Sequence, residues 1–106
     1  MTAIIGTPTG IEEPEPVIPA KYILEQNEPN PFNPNTTIRY SLPKDGLVTL
    51  KVYNLIGQEV ETLVNGYKSA GSYSFEFYGT NLASGIYFYR LISGEYSETK
   101  KMILNK

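Results

Sequence analysis

Leu82 to Leu91 reads LASGIYFYRL, and the fold of this chain turns on it. Gly85 closes a turn, after which Tyr87, Tyr89 and Leu91 share one parity while Ile86, Phe88 and Arg90 share the other. Alternate side chains of an extended strand fall on opposite faces, so the first set buries two rings and a leucine together. The second set carries a ring as well. The run therefore reads as a central strand of a β-sandwich, one face on the core and the other partly covered or meeting a partner.

Working outward, the same alternation recurs on both sides. In Thr36 to Leu42, Ile38, Tyr40 and Leu42 oppose Thr37, Arg39 and Ser41; in Leu47 to Leu55, Val48, Leu50 and Val52 oppose Thr49, Lys51 and Tyr53. Pro43-Lys44-Asp45-Gly46 supplies turn residues between the two runs, which predicts that they pair with each other. The parity of Glu59 to Val64 is irregular, as expected of a bulge or an edge position. Asn65-Gly66 is the strongest short turn signal. Ser72 to Tyr78 then offers Tyr73, Phe75 and Phe77 as an inward set. After Ser93-Gly94-Glu95 the last strand, Tyr96 to Leu104, places Lys100 and Lys101 on opposite faces, so that one of them must snorkel or reach the rim.

Before the first clear strand the chain is of another kind. Residues 1–20 hold Pro8, Pro14, Pro16 and Pro19 with Glu12, Glu13 and Glu15 and show no periodicity, which predicts a disordered linker ahead of a domain at 21–106. Ile4, Ile5, Val17 and Ile18 could form an edge strand there only against that composition. Tyr22 to Pro34, YILEQNEPNPFNP, cannot be helical, because Pro29, Pro31 and Pro34 push each preceding residue toward extended backbone. Phe32 is placed to plug an open end of the sandwich, and the asparagines around it can bond to backbone that lacks a ladder partner. With a short strand near Tyr22 to Glu25, the expectation is an all-β, immunoglobulin-like sandwich of about seven antiparallel strands.

Composition narrows the function. A chain of 106 residues with net charge −2, nine tyrosines, four phenylalanines and no cysteine supports one disulfide-free core. It has no basic stripe of the kind that neutralises phosphates, so nucleic acid is not expected as a partner. Apolar runs such as Met102-Ile103-Leu104 are far too short to span a membrane. The first ten residues do not read as a secretory leader, so work outside the cytoplasm would make this chain part of a longer precursor. Histidine and cysteine are absent and Asp45 is the only aspartate, which removes the usual bases, thiol nucleophiles, zinc ligands and calcium loops. Glu59 and Glu61 share a parity but read as solvated charges. No cofactor is called for. The tyrosines suit a core, leaving Tyr53, Phe88 and Tyr78 as a residual platform for a sugar face. Asn35-Thr36-Thr37 matches an N-glycosylation acceptor.

Taken together, LEQNEPNPFNPNTTIRYSLP at Leu24 to Pro43, VYNLIGQEV at Val52 to Val60, LASGIYFYRL, and the terminal KKMILNK resemble the type A C-terminal sorting domain of the type IX secretion system. One departure is Glu28, which stands where that family usually has an aromatic residue. A similar sandwich occurs in the flagellar hook-capping protein, which keeps a hook-capping-like immunoglobulin domain as another reading.

The resemblance implies a non-catalytic signal. Such domains sit at the C-terminus of secreted proteins of the Bacteroidota and relatives, pass through the periplasm, and route an N-terminally fused cargo to the type IX translocon with an outer-membrane shuttle protein. A surface sortase then removes the domain and commonly joins the cargo to anionic lipopolysaccharide, leaving the cargo at the cell surface or secreted. By position, the family's glycine and aromatic motif falls on Gly85 and Tyr87, and its terminal motif on Lys100, Lys101, Met102, Ile103, Leu104 and Lys106, which makes these the expected partner-binding residues. A terminal strand with open edge groups, flanking lysines and the apolar Met102-Ile103-Leu104 run could add to a partner's sheet or dock in a groove. The contrasting expectation is a permanent interaction or carbohydrate-binding module that stays on the mature protein.

Overall fold

Alternating parity becomes seven antiparallel strands in the computed structural model, which describes residues 17–106. They are β1 (Ile23–Leu24), β2 (Asn35–Leu42), β3 (Gly46–Tyr53), β4 (Glu59–Lys68), β5 (Gly71–Tyr78), β6 (Gly85–Ser93) and β7 (Tyr96–Leu104). One sheet has the order β1-β2-β5 and the other β4-β3-β6-β7, an immunoglobulin-like sandwich with no helix among the described residues. The expected linker lies mostly outside those residues, as do Ile4 and Ile5; Val17 and Ile18 are exposed.

The core is what period-two patterning predicts. Ile38, Tyr40 and Leu42 of β2 face Val48, Leu50 and Val52 of β3 and Tyr87, Tyr89 and Leu91 of β6, all buried. β6 is interior, paired to β3 through Leu50↔Leu91 and Val52↔Tyr89 and to β7 through Tyr87↔Met102. Each fully buried apolar side chain contributes about 1.5–3 kcal/mol relative to exposure, so this layer is the main source of stability.

Two pairings differ from the sequence reading. β2 and β3 do not pair with each other: β2 joins β1 and β5, whereas β3 joins β4 and β6. Both strands are apolar on one face only, and laying those faces against each other from opposite sheets buries both, which side-by-side pairing would not. Asn65-Gly66 is not a turn. It lies within β4, opposite Thr49 and Val48, and the chain reverses instead between Lys68 and Gly71. Continued pairing of Tyr67 and Lys68 with Leu47 and Gly46 outweighs the local preference for a turn. The irregular parity of Glu59 to Val64 has the expected cause: β4 is an edge strand, with register shifts opposite Leu50/Lys51 and Val52/Tyr53.

Tyr73, Phe75 and Phe77 do share the inner face of β5, but only Phe77 is fully buried. The sheets part between the edge strands β4 and β5, leaving an open cleft of about 410 Å³ lined by Tyr40, Leu63, Val64, Tyr73 and Phe75 among others. Tyr40 and Tyr73 stack there at 5.3 Å.

The opposite side is closed by the proline-rich segment. Phe32 is 1% exposed, meets Phe77 edge-on at 6.0 Å, and forms a parallel bridge with Leu104. Gly79 makes the fit possible: a Cβ there would stand 3.0 Å from Leu104 Cδ2 and 3.3 Å from Phe32 Cε2. Glu28 pairs with Thr37 through its backbone and turns its side chain to solvent near Arg39, 3.8 Å away. An exposed pair of that kind contributes little, and the segment is undisturbed by it.

The buried hydroxyl of Tyr89 ties this segment to β6. It donates to the Glu25 carbonyl at 2.6 Å and accepts from the Asn27 amide at 2.7 Å. Asn27, itself 1% exposed, donates from Nδ2 to Pro29 O and Thr36 Oγ1, each at 3.1 Å. Burial pushes the Tyr89 hydroxyl from 10.0 up to about 12, against an opposing effect from the Asn27 amide.

Phe32→Ala should lower unfolding free energy by about 3–5 kcal/mol, read from denaturant midpoints, because the plug leaves a cavity. Tyr89→Phe should cost about 1–3 kcal/mol by stranding the Asn27 amide and the Glu25 carbonyl. A raised tyrosine pKa means the stabilisation is whole below pH 10 and is lost as pH climbs through about 12. Alkaline titration of stability should therefore be shallower for Tyr89→Phe than for the parent.

Candidate functional site

The expected site residues gather on β6, β7 and the turn before β6. Gly85 is the first residue of β6, with φ of +154°, and lies opposite Leu104. Tyr87 points into the core, 8% exposed, and its hydroxyl donates to the Ala83 carbonyl at 2.6 Å, which braces the turn at 79–84. The glycine and aromatic pair thus shapes the turn.

Along β7 the even-numbered side chains face inward. Met102 and Leu104 are 0% and 1% exposed, so the apolar run is core and not the open docking segment expected from the sequence. Only Ile103 of that run sits on the outer face, half-buried and opposite Ile86. Lys101 is exposed on the same face, in a cross-strand row with Phe88 and Tyr53. Lys106 closes the end of the molecule: its backbone amide donates to Ser84 Oγ at 3.0 Å, and its Nζ donates to the carbonyls of Thr80 and Leu82 at 2.8 and 2.7 Å. Of the expected set, Lys101 and Ile103 are the side chains presented outward, with Lys100 partly so.

Lys100 is the lysine that snorkels. Its stem follows the inner face while Nζ pairs with Glu98 at 3.3 Å. Glu98 also accepts from the Tyr96 hydroxyl at 2.6 Å, and Tyr22 stacks on Tyr96 at 4.6 Å. The Tyr96 hydroxyl, then Lys100, hold the Glu98 carboxyl below the usual carboxylate range; burial, then Glu98, push Tyr96 up. These groups close the rim where the core ends.

The edge of β7 is not open along its last residues either. Gln26 Nε2 donates to Lys101 O at 2.7 Å, Ile103 N to Asn30 Oδ1 at 2.9 Å, Phe32 N to Ile103 O at 2.9 Å, and Asn105 N to Phe32 O at 2.9 Å. A strand cannot be added between Lys101 and Asn105 while this segment is in place. The sequence reading missed Gln26 and Asn30 in this role; the signal present was a run of amide side chains among prolines, with no indication of which edge they serve.

Other candidates resolve as follows. Glu59 bonds Thr62 at 2.8 Å and Lys51 at 3.2 Å, which in that order hold its carboxyl low, the opposite of what a general acid needs. Tyr53 and Phe88 are cross-strand neighbours, with Arg90 5.4 Å over the Tyr53 ring, while Tyr78 belongs to the other sheet, so the three do not form one platform. Asn35 Nδ2 lies 3.5 Å from Glu76 Oε2, and Thr36 is buried in the Asn27 network. Among the described residues no group of histidine, cysteine, aspartate or glutamate could hold a metal ion, and no helix is long and apolar enough to cross a membrane.

A family model for the secretion system C-terminal sorting domain matches residues 29–105, from the proline-rich plug through the last strand. No curated protein matches the chain. The match takes in every element that closes the sandwich except β1, including the Phe32 plug and the Gly85 turn. This chain belongs to the family of type IX secretion C-terminal sorting domains.

Proposed function

We propose that this domain is a non-catalytic address, carried behind an N-terminally fused cargo, recognised by the outer-membrane machinery of type IX secretion and cut off by a surface protease. Residues 1–20 serve as the linker in which the cut falls, and 21–106 as the folded signal. The supporting observation is the placement of the two chain ends. Tyr22 stacks on Tyr96 at the start of β7, and Lys106 is fastened beyond its end. The eight steps from Tyr96 to Leu104 span roughly 26 Å at about 3.3 Å per residue. Cargo attached ahead of Tyr22 therefore meets the sandwich at the end opposite the one at which Lys106 is fastened.

At that fastened end the tail is held as a shaped surface. Gln26, Asn30 and Phe32 fix its backbone, so Lys101 and Ile103 are presented at low entropic cost to a partner. Recognition by side chains of a rigid rim replaces the strand addition expected from the sequence. Removing the tail outright would be uninformative, because Met102 and Leu104 are core residues.

Lys101→Glu in a full-length precursor expressed in its native host should lower exported cargo about fivefold or more, the scale on which reversing a contact charge acts. The melting temperature of the 106-residue chain should not change, since Lys101 is exposed. Mature cargo, examined by mass spectrometry, should lack peptides from Leu82 to Leu91. Retention of those peptides would favour a permanent binding module and overturn the removable signal.

A further inference from the structure

The two sheets differ in what they turn outward. On the smaller sheet the outer side is mostly polar and its groups satisfy one another: Thr37 donates to Glu76 at 2.8 Å, the hydroxyls of Ser41 and Ser72 lie 3.3 Å apart, and Arg39 faces Glu28. That is the ordinary solvated side of an antiparallel sandwich. The larger sheet departs from it. Its interior strand β6 turns Ile86, Phe88, Arg90 and Ile92 outward, the three apolar ones half-buried, with Ile103 beside Ile86 and Tyr53 beside Phe88.

Cations flank this apolar row. Phe88 stands between Tyr53 and Lys101, and Arg90 lies directly opposite Lys51. Like charges opposed on adjacent strands destabilise a sheet, so folding alone does not account for that pair. Among the described residues the register brings one carboxylate to the face, Glu59 opposite Tyr53, and Lys51 engages it at 3.2 Å. No acid among them lies within ion-pair distance of Arg90 or Lys101. Arg90 is positioned by other means: its Nε donates to Thr99 Oγ1 at 3.0 Å, and its guanidinium lies over the Tyr53 ring at 5.4 Å.

We infer that the outer face of the larger sheet is a docking surface for a protein of the export machinery, one whose matching surface is apolar at its centre and carries carboxylates opposite Arg90 and Lys101. Charge complementarity selects acid on the partner, because the face holds two cations with no acid of their own. The form of the face selects protein over lipid. Its apolar side chains are half-buried in a sheet, whereas insertion into a bilayer needs groups that reach roughly 5–10 Å into it. A pleated surface of this kind packs against another ordered surface. The inference rests on the sorting reading and carries recognition from Lys101 and Ile103 at the rim to Arg90 in the body of the sheet.

The test uses full-length precursors in the native host. Arg90→Glu replaces a repulsion across from Lys51 with an attraction, so the melting temperature of the 106-residue chain should hold or rise while exported cargo falls about fivefold or more. Arg90→Lys, which keeps the charge, should export close to the parent. Arg39→Glu makes the same charge change on the outer side of the smaller sheet and should export normally. Normal export of Arg90→Glu, with export still abolished by deleting residues 21–106, would overturn the docking face and leave the sorting function standing. Normal export after that deletion would overturn both. An equal fall for Arg39→Glu would overturn the face in favour of an effect of net charge. The 106-residue chain should not sediment with vesicles of equal parts phosphatidylcholine and phosphatidylglycerol. Sedimentation that is lost in Arg90→Glu would overturn the protein partner in favour of a lipid surface.

Discussion

A buried phenolic oxygen ties the interior of the larger sheet to the segment that plugs the core. Tyr89 rises from an interior strand of the larger sheet, and its hydroxyl reaches the Glu25 carbonyl and the Asn27 amide in the segment that leaves β1. That segment cannot continue as a strand, because its prolines lack donors and its course bends around the end of the sandwich. Its polar backbone would be buried without partners, at a cost of about 1–3 kcal/mol for each group. The tyrosine, Asn27 and Thr36 meet this need from inside, and Phe32 is thereby held where it can close the core against Phe77 and Leu104.

The same segment faces outward as well. Gln26, Asn30 and the Phe32 backbone engage β7 from Lys101 to Asn105, so one stretch of chain both closes the core and covers an edge that could otherwise template aggregation. For a domain whose business is to be recognised, this matters. A bare edge would accept many strands, whereas a covered one restricts recognition to side chains in fixed positions.

Much of this was readable from residue order, and the reasons for the remainder are specific. Tyr87, Tyr89 and Leu91, or Ile38, Tyr40 and Leu42, declare their shared face through period two, because a pleated strand offers no other arrangement. Parity does not say which sheet a face belongs to, and so β2 and β3 were expected side by side when they oppose each other across the core. Asn65-Gly66 carried a strong local preference that pairing with β3 overrode. Met102 and Leu104 share the parity of Tyr96, yet their place at the end of the chain suggested exposure. Both belong to the common core, where Phe32 from far earlier in the chain seats on Leu104, while Gln26 and Asn30 hold the backbone of β7 at separations of 75 and 73 residues. No local signal spans such distances.

The lateness of β7 has a consequence for when this domain can exist at all. Met102 and Leu104 fill the core, and Leu104 is the surface on which Phe32 seats. Every strand that β7 completes precedes it in the chain, so the sandwich cannot be sealed until Leu104 has been added. A message broken anywhere upstream yields a polypeptide without the finished rim. Closure of the fold thus certifies that synthesis has run through Leu104.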